Sequence, residues 1–298
     1  MNSARQTGNG FISVVIKISG YSSILFVGLI LFFLLREGLP ALWNVDLKSL
    51  IQPRWYPIEG YFGLLPLILG TLMVTMTATL IALPFGLGTA IFLSEVTPQW
   101  VKVVFKPIIE ILAGIPSVVL GFIGILVLVP FLRKFLDLPT GLTAFTGAIL
   151  LGLISIPTIV SVAEEALNTV PAGYRQAGLA LGATKWQTIW GITVPAAKSG
   201  ILTAVMLGIG RSLGETMAVM MVTGNAAVIP THLDSIFRPV RTMTATIASE
   251  MGEVATGSAH YQVLFLIGII LFLLSLVINI VASSISTRQR QRSERILS

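Results

Sequence analysis

The chain has 298 residues, of which 54% are hydrophobic and only 11% are charged, against roughly 25% charged residues in an average soluble domain. This composition, with a mean hydropathy of +0.90, excludes an ordinary soluble domain and indicates an integral membrane protein. The absence of cysteine excludes disulfides and thiolate metal or redox sites, and the net charge of +6 comes from scattered basic residues rather than from a stripe that could bind nucleic acid.

Six apolar runs are long enough to cross about 30 Å of hydrocarbon as α-helices, at roughly 1.5 Å per residue. They cover residues 18–35, 63–93, 108–132, 142–162, 200–222 and 263–285. The sequence therefore predicts an all-α membrane protein with six transmembrane helices and both termini on one side. Most of the lysines and arginines outside the runs lie on that side, including those of the basic tail, which predicts cytoplasmic termini.

The chain is predicted to divide into three parts. Residues 1–61 hold a polar tail, the first span and an outer loop. The first run follows Lys17 without a cleavage site, so we expect it to remain as an anchor. In the outer loop, Trp43 and Trp55 suit a segment at the membrane interface. Residues 62–286 form a five-helix core that includes the 171–195 segment, and residues 287–298 form a basic cytoplasmic tail.

The run at 108–132 carries small residues at three- and four-residue spacing, which are Gly114, Ser117, Gly121 and Gly124. Such a stripe on one helical face either permits close approach of another helix or lines a pore, and we favour helix packing. Glu110, at the start of this run, places a carboxylate near the membrane. Prolines inside or near the spans predict bends at Pro84, Pro116 and Pro157.

The 171–195 segment is the longest amphipathic interruption between two spans. Residues 174–181 and 184–191 are predicted to form two short helices, with Gly182 in the left-handed conformation between them. One apolar, aromatic face is predicted from the helical spacing of Trp186, Ile189, Trp190 and Thr193. Such a face either lies at the membrane surface with its tryptophans at headgroup level or docks into a groove of a partner protein.

The run at 200–222 contains the sharpest functional signal, Arg211 followed by Glu215. Arg211 lies ~17 Å along the predicted helix, near mid-bilayer, where an arginine costs about 2.5 to 3.5 kcal/mol and is expected to face an interior cavity. A continuous helix would place both charges on one face with small residues, which are Ala204, Gly208 and Ala218.

Two interpretations of Arg211 and Glu215 compete. The two side chains form an intrahelical ion pair that serves only packing. Alternatively, the guanidinium binds an oxyanion bidentately, while the carboxylate accepts a proton from that anion or repels fully deprotonated competitors. We favour the second interpretation, because ionisable groups within the membrane commonly mark transport paths.

The longest polar loop, 223–260, carries five side chains that could ligate a metal, which are His232, Asp234, Glu250, Glu253 and His260. Their spacings match no metal-binding pattern, so we expect a solvated docking loop and no metal site. The chain also has no Gly-Lys dipeptide, hence no Walker A loop, and no Ser-His-Asp or paired-carboxylate pattern. We therefore expect no enzymatic activity, and an ATP-driven transporter would need a separate ATPase subunit.

Two other classes of protein fit six spans and a buried arginine. An ion- or proton-coupled secondary transporter would accumulate substrate from an ion gradient without ATP. A scaffold or sensor would bind a ligand at the outer loops and signal through the cytoplasmic loop, and accumulation of substrate would exclude that as its sole role.

The 171–195 segment also carries a recognisable pattern. Gln176-Ala177-Gly178 is followed by Gly182 and, nine residues later, by Ile192-Thr193-Val194-Pro195. This resembles the EAA loop of ABC-importer permeases, with Gln for Glu, Gly for the second Ala and Val for Leu. In that family the loop forms a coupling helix that fits a cleft on the ATPase. The resemblance implies coupling roles for Gln176, Ala177, Gly178, Gly182, Trp186, Ile192 and Pro195.

Three further stretches narrow the resemblance: LPLILGTLMVT from residue 65, LAGIPSVVLGFIG from 112 and GRSLGETMAVMMVTGN from 210. With the extra first span and its loop containing Trp and Pro, they are similar to PstC-type rather than PstA-type permeases of the phosphate-specific ABC importer. The resemblance implies a type I ABC importer permease fold in a bacterial inner membrane. It implies that Arg211 and Glu215 act in the phosphate pathway, to which we also assign Glu110 and Ser117. Sulfate or molybdate remains an alternative substrate, because an arginine fork alone does not choose among tetrahedral oxyanions.

The same resemblance implies partners. The chain would pair with a homologous PstA-like permease and bind two PstB-like subunits, which would hold ATP and Mg, so that it would need no cofactor of its own. A periplasmic or lipid-anchored PstS-like phosphate-binding protein would deliver phosphate. Membrane lipid would surround the chain, and no contact with nucleic acid is expected.

Overall fold

The structure is a computed structural model that describes the backbone of residues 2–297 and the side chains of residues 13–232, 234–281 and 284. One antiparallel hairpin pairs β1 (Trp55–Tyr56) with β2 (Tyr61–Phe62). The helices are α1 (Asn2–Gly38), α2 (Ala41–Asn44), α3 (Leu47–Leu50), α4 (Leu65–Ile91), α5 (Gln99–Gly114), α6 (Ser117–Ile123), α7 (Val129–Phe135), α8 (Ala144–Asn168), α9 (Ala172–Ala180), α10 (Lys185–Thr188), α11 (Val194–Ala196), α12 (Lys198–Gly214), α13 (Met217–Val222), α14 (Met243–Glu250) and α15 (Ala259–Leu297). The 3₁₀ turns lie at Pro57–Glu59 and Leu233–Phe237, and π turns lie at Phe92–Val96, Gly124–Leu128 and Ile189–Thr193.

Five helical stretches of the described chain are long and apolar enough to cross a membrane. They are Ser13–Asn44, Leu65–Val96, Ser117–Phe135, Ala144–Asn168 and Ala259–Val281. A sixth candidate is the bent pair Lys185–Ala196 and Lys198–Gly214, whose two parts meet at 72°. The all-α membrane architecture is confirmed, and each of the six predicted runs overlaps one of these candidates, although the runs at 108–132 and 200–222 do so only in part.

Ile159 lies where the three central helices α4, α8 and α12 meet. It belongs to α8 and is 1% exposed. A Cβ on Gly86 of α4 would come within 2.8 Å of its side chain, and one on Gly208 of α12 would come within 2.6 Å. The two glycines therefore let the helix backbones approach closely. Close packing of this kind drives helix association in a membrane, where the hydrophobic effect between helices is weak.

The predicted run at 108–132 is two helices rather than one. α5 ends at Gly114, Ile115 and Pro116 are extended, and α6 begins at Ser117. Proline has no N–H to donate and disfavours helical backbone in the preceding residue, so the bend predicted at Pro116 becomes a complete break.

This break also divides the predicted stripe of small residues. Gly121 and Gly124 do pack closely, against Ala218 and Val222 respectively. Gly114 belongs to α5, and none of the described residues of α5 is buried. The expectation of one continuous small-residue face from Gly114 is therefore wrong, whereas the preferred interpretation, helix packing, holds for Gly121 and Gly124.

The loop after α1 folds onto the core. Trp55 is 5% exposed, and its ring lies edge-on to Phe62 at 6.1 Å. Its Nε1 donates to both carboxylate oxygens of Glu250, at 3.1 and 3.2 Å. The hairpin thus turns Trp55 into the protein, while Trp43 is 77% exposed, and the interfacial position of this loop stays a prediction.

The polar loop 223–260 is partly built into the core, which corrects the expectation of a solvated loop. α14 buries Met243, Thr244, Ala245 and Thr246. At the end of this helix, the Glu250 carboxylate lies 2.7 Å from Arg241 Nη2 and 2.8 Å from His260 Nε2. These contacts form an ion-pair cluster. No group of three or more His, Asp or Glu side chains within the described residues is arranged to hold a metal ion.

Candidate translocation site and the 171–195 segment

Arg211 lies in the last turn of α12 and is half-buried. Its Nη2 is 3.5 Å from the carbonyl oxygen of Ala113, at the outer limit of a hydrogen bond. Its Nε is buried and has no hydrogen-bond partner among the described residues. The guanidinium thus lies beside the end of α5 with part of its donor capacity unused, as an anion-binding arginine requires.

Glu215 lies at a second break. α12 ends at Gly214, Glu215 is extended with φ −68° and ψ 130°, and α13 begins only at Met217. The prediction of one continuous helix bearing both charges on a single face is therefore wrong. Arg211 and Glu215 do not form an ion pair within 4.0 Å in the described structure. The intrahelical pair is thus absent.

Hydroxyl groups satisfy the backbone at this break. Thr216 Oγ1 donates to the carbonyl of Gly214 at 3.2 Å, and Thr244 Oγ1 of α14 donates to the carbonyl of Glu215 at 3.1 Å. The Glu215 carboxylate accepts a hydrogen bond from the N–H of Thr216 at 3.1 Å. Non-helical backbone at membrane depth persists only where protein or a polar cavity hydrogen-bonds to its N–H and C=O groups. These three bonds therefore stabilise the break between α12 and α13.

A buried hydroxyl pair lies next to Arg211 in the sequence. Ser212 Oγ and Ser155 Oγ of α8 are 2.8 Å apart, and the two residues are 3% and 1% exposed. This hydrogen bond fixes the end of α12 against α8 and so positions the neighbouring arginine. Ser155 and Thr244 were not predicted as site residues, although a serine within an apolar run is a usable signal.

The other two predicted pathway residues flank the first break. Ser117 begins α6 immediately after Pro116 and is half-buried. Glu110 is exposed on α5, one turn before Ala113, in a polar groove of about 480 Å³. That groove also contains Lys106, which pairs with Glu164 at 3.1 Å. Glu110 therefore belongs to this groove and makes no described hydrogen bond with Arg211.

The 171–195 segment has the predicted helix-turn-helix form. α9 ends at Ala180, Gly182 has φ +84°, and α10 begins at Lys185. Thr184 and Gln187 form a capping box at the start of α10. Only glycine adopts the left-handed conformation of the turn without strain, which is why Gly182 marks it.

The predicted apolar face of this segment is split between two surfaces. Ile189 and Thr193 are buried at 1% and 0% exposure, whereas Trp186 and Trp190 are 60% and 59% exposed. The second helix continues as the π turn Ile189–Thr193, which the regular helical spacing did not predict. The two tryptophans line an apolar groove of about 570 Å³ against α4.

The residues assigned to ATPase coupling are not equally accessible. Those exposed at the surface are Gln176, Ala177, Gly182, Trp186 and Pro195. Gly178 is buried, and a Cβ there would lie 2.5 Å from Ile192 Cδ1, which is itself on a half-buried side chain. Gly178 and Ile192 therefore stabilise the segment internally, while the exposed residues are free to contact a partner.

Comparison with known proteins agrees with the membrane-spanning architecture described above. Residues 82–292 match the family described as binding-protein-dependent transport system inner membrane component. The chain belongs to this family. It is 40% identical over 246 residues to the probable ABC transporter permease protein YqgH of Bacillus subtilis (strain 168), covering 82% of this chain and 79% of that relative.

This inner membrane component is also similar to permeases named for phosphate transport. It is 33% identical over 282 residues to the phosphate transport system permease protein PstC of Xylella fastidiosa (strain Temecula1 / ATCC 700964), covering 86% of each chain. Against PstC of Mesorhizobium japonicum the identity is 36% over 261 residues, covering 81% of this chain and 79% of the relative.

Two solved transporters share the fold of the permease. The inward-facing MetNI methionine ABC transporter aligns with a TM-score of 0.58 at 20% identity, over 74% of this chain and 93% of that one. A bacterial ABC transporter involved in import of the polysaccharide alginate aligns with a TM-score of 0.57 at 17% identity, over 92% and 97%. The predicted type I ABC importer permease fold is confirmed.

The permease also contains an ion pair that its sequence does not reveal. Arg175 of α9 meets Glu95, in the π turn after α4, at 2.6 Å. The two residues stand 80 positions apart, and neither belongs to the pattern of residues described for the segment. The signal in the sequence is weak: an arginine directly before Gln176 and a glutamate directly after an apolar run.

Proposed function

We propose that this chain is a permease subunit of an ATP-driven importer of inorganic phosphate, in a bacterial inner membrane with both termini cytoplasmic. The observation that carries the proposal is Arg211, a half-buried arginine with an unpaired Nε at the end of a broken span. The names of the PstC relatives favour phosphate over other anions.

The chemistry of the proposed site suits a protonated oxyanion. The guanidinium offers a planar fork of donors that matches two oxygens of a tetrahedral anion. Glu215 can accept a proton from phosphate, which carries one near neutral pH, but repels an anion that has none to give. Arg211 would thus supply affinity and Glu215 would select against sulfate, while Ser117 and Glu110 flank the route.

The chain has no nucleotide-binding loop, so the energy source must lie in partners. The proposed assembly contains a PstA-like permease, two PstB-like subunits that bind ATP and Mg, and a PstS-like phosphate-binding protein. Support comes from the family of the chain and from the exposed residues of the 171–195 segment, including Gln176 and Trp186, which can contact an ATPase cleft.

The test is radiolabelled phosphate uptake by the purified assembly in liposomes. We expect uptake to require ATP and to fall to background in Arg211→Ala, with all subunits still co-purifying. The control is Arg133→Ala, which changes an exposed arginine of α7 and should leave uptake intact.

Three results would contradict the proposal. Normal phosphate uptake by Arg211→Ala would remove that residue from the pathway. Accumulation driven by an ion gradient without ATP would identify a secondary transporter. Uptake of sulfate or molybdate in preference to phosphate would assign another oxyanion.

A further inference from the structure

Arg175 joins three parts of the permease through hydrogen bonds. Its Nε is 3.1 Å from both carboxylate oxygens of Glu95, and its Nη2 donates to Glu95 Oε1 at 2.6 Å. The same guanidinium donates to the carbonyls of Val170 and Leu167, at 2.7 and 2.8 Å. Glu95 lies in the turn that ends α4, and Leu167 lies in the last turn of α8. One side chain of α9 is therefore fixed to the ends of two core helices.

The Arg175–Glu95 pair is largely shielded from water. The Glu95 side chain is 7% exposed and that of Arg175 is 24% exposed. Removing one partner of a buried pair leaves the other charge uncompensated, whereas a solvated pair contributes little. The pair Arg36–Glu37 provides the contrast, because its side chains are 68% and 25% exposed.

Beyond the short connection from α8, few side chains of α9 contact the membrane helices. Within α9, Arg175 is half-buried and Gly178 is buried, while the remaining residues are exposed. Gly178 faces Ile192 and Thr188, which belong to the same segment. Among the described side chains of α9, Arg175 is the one that hydrogen-bonds to a core helix. This guanidinium therefore provides the hydrogen-bonded link from α9 to the end of α4, beside the apolar contacts that the later residues of the segment make with α4.

We propose that Arg175 and Glu95 form a positioning pair that makes α9 and the end of α4 move together when an ATPase subunit displaces the 171–195 segment. The inference rests on the proposed function, because it assumes such a subunit. Two parallel bonds between a guanidinium and a carboxylate restrain angle as well as distance, so the displacement is transmitted rather than absorbed. From α4 it passes through the Ile159 contact to α12, which carries Arg211.

The first test measures phosphate taken up per ATP hydrolysed by the complete assembly in liposomes. In Arg175→Gln and Glu95→Gln we expect ATP hydrolysis to continue while this ratio falls at least about tenfold. Each variant leaves the other charged side chain of the pair without its counter-charge. The exchanged variant, Arg175→Glu with Glu95→Arg, should regain part of the ratio. Arg36→Gln, which removes one partner of the solvated Arg36–Glu37 pair, is the matched control and should keep the wild-type ratio. Uptake and hydrolysis that fall in parallel, with the ratio unchanged, would overturn the proposal.

The second test needs neither phosphate nor uptake. The chain has no cysteine, so Phe85→Cys in α4 and Ala172→Cys in α9, both at exposed positions, carry spin labels in an assembly whose partners are free of cysteine. We expect ATP to leave the distance between the labels unchanged when Arg175 is present. The further substitution Arg175→Lys keeps the positive charge but removes the planar pair of N–H donors. ATP should then shift or broaden the distribution of distances between the labels.

The two ideas can fail separately. Identical distance distributions with arginine and lysine at position 175, with and without ATP, would overturn the positioning pair. Failure of the wild-type assembly to take up phosphate would defeat the proposed function and leave the distance measurement valid as a test of the pair.

Discussion

Thr244 donates its hydroxyl to the backbone carbonyl of Glu215 across 3.1 Å. Thr244 belongs to α14, within loop 223–260, whereas Glu215 is the residue at which the helix of Arg211 ends. The last carbonyls of a helix lack partners, and inside a membrane protein water does not readily replace them. A short helix of a distant loop therefore fixes the backbone of the proposed phosphate pathway.

Replacing Thr244 with valine keeps the shape of this side chain and removes its donor. We expect the free energy of unfolding to fall by about 0.5 to 1.5 kcal/mol, the usual net contribution of one hydrogen bond, and phosphate uptake to fall as well. Thermal unfolding and uptake assays measure the two effects. Thr244→Ser retains the hydroxyl and should resemble the wild type. Equal behaviour of the valine and serine variants would show that the hydrogen bond contributes nothing.

Glu215→Gln tests selectivity rather than affinity. A neutral amide no longer repels a fully deprotonated anion, so we expect sulfate to become a competitor of phosphate in the variant. The measurement is inhibition of labelled phosphate uptake by excess sulfate, with Glu253→Gln, an exposed residue of loop 223–260, as the control. Complete insensitivity to sulfate in Glu215→Gln would mean that another group makes the selection.

Features set by local physics could be predicted from the sequence. The spans follow from apolar runs of sufficient length, because such runs are stable in hydrocarbon as helices. Gly182 marks a turn, because its φ of +84° suits glycine. The charge of Arg211 within a span indicates a site, because its burial in lipid is costly.

Features set by contacts between distant residues could not be predicted. The residues around Glu215 carry no helix breaker beyond a glycine, and the break depends on hydrogen bonds from Thr216 and Thr244. Arg175 and Glu95 are 80 positions apart. The π turn Ile189–Thr193 has no signature in hydrophobic spacing, since one extra residue per turn depends on how the segment packs.

Gly182→Ala should weaken attachment of the ATPase subunit. Alanine in the left-handed conformation costs about 1 to 2 kcal/mol, so the turn between α9 and α10 would relax and move Trp186. The control is Gly173→Ala, because both glycines have open space around them but only Gly182 has a positive φ. Co-purification of the ATPase subunit with each variant is the measurement. Equal recovery in the two variants would indicate that the turn geometry does not govern docking.

The Ile159 contact yields a prediction about packing, for which α4 provides its own control. A side chain at Gly86 would collide with Ile159, whereas a Cβ at Gly88 of the same helix meets nothing within 4 Å. We expect Gly86→Leu to lower the free energy of unfolding by about 1 to 3 kcal/mol through overpacking, and Gly88→Leu to have little effect.

Adding Ile159→Ala to Gly86→Leu should restore part of the lost stability, because the two substitutions exchange volume across one contact. Thermal unfolding in detergent measures all three variants. If Gly86→Leu and Gly88→Leu were equally stable, the close approach of α4 and α8 at this point would be ruled out, and with it the proposed route of movement from α4 to the helix of Arg211.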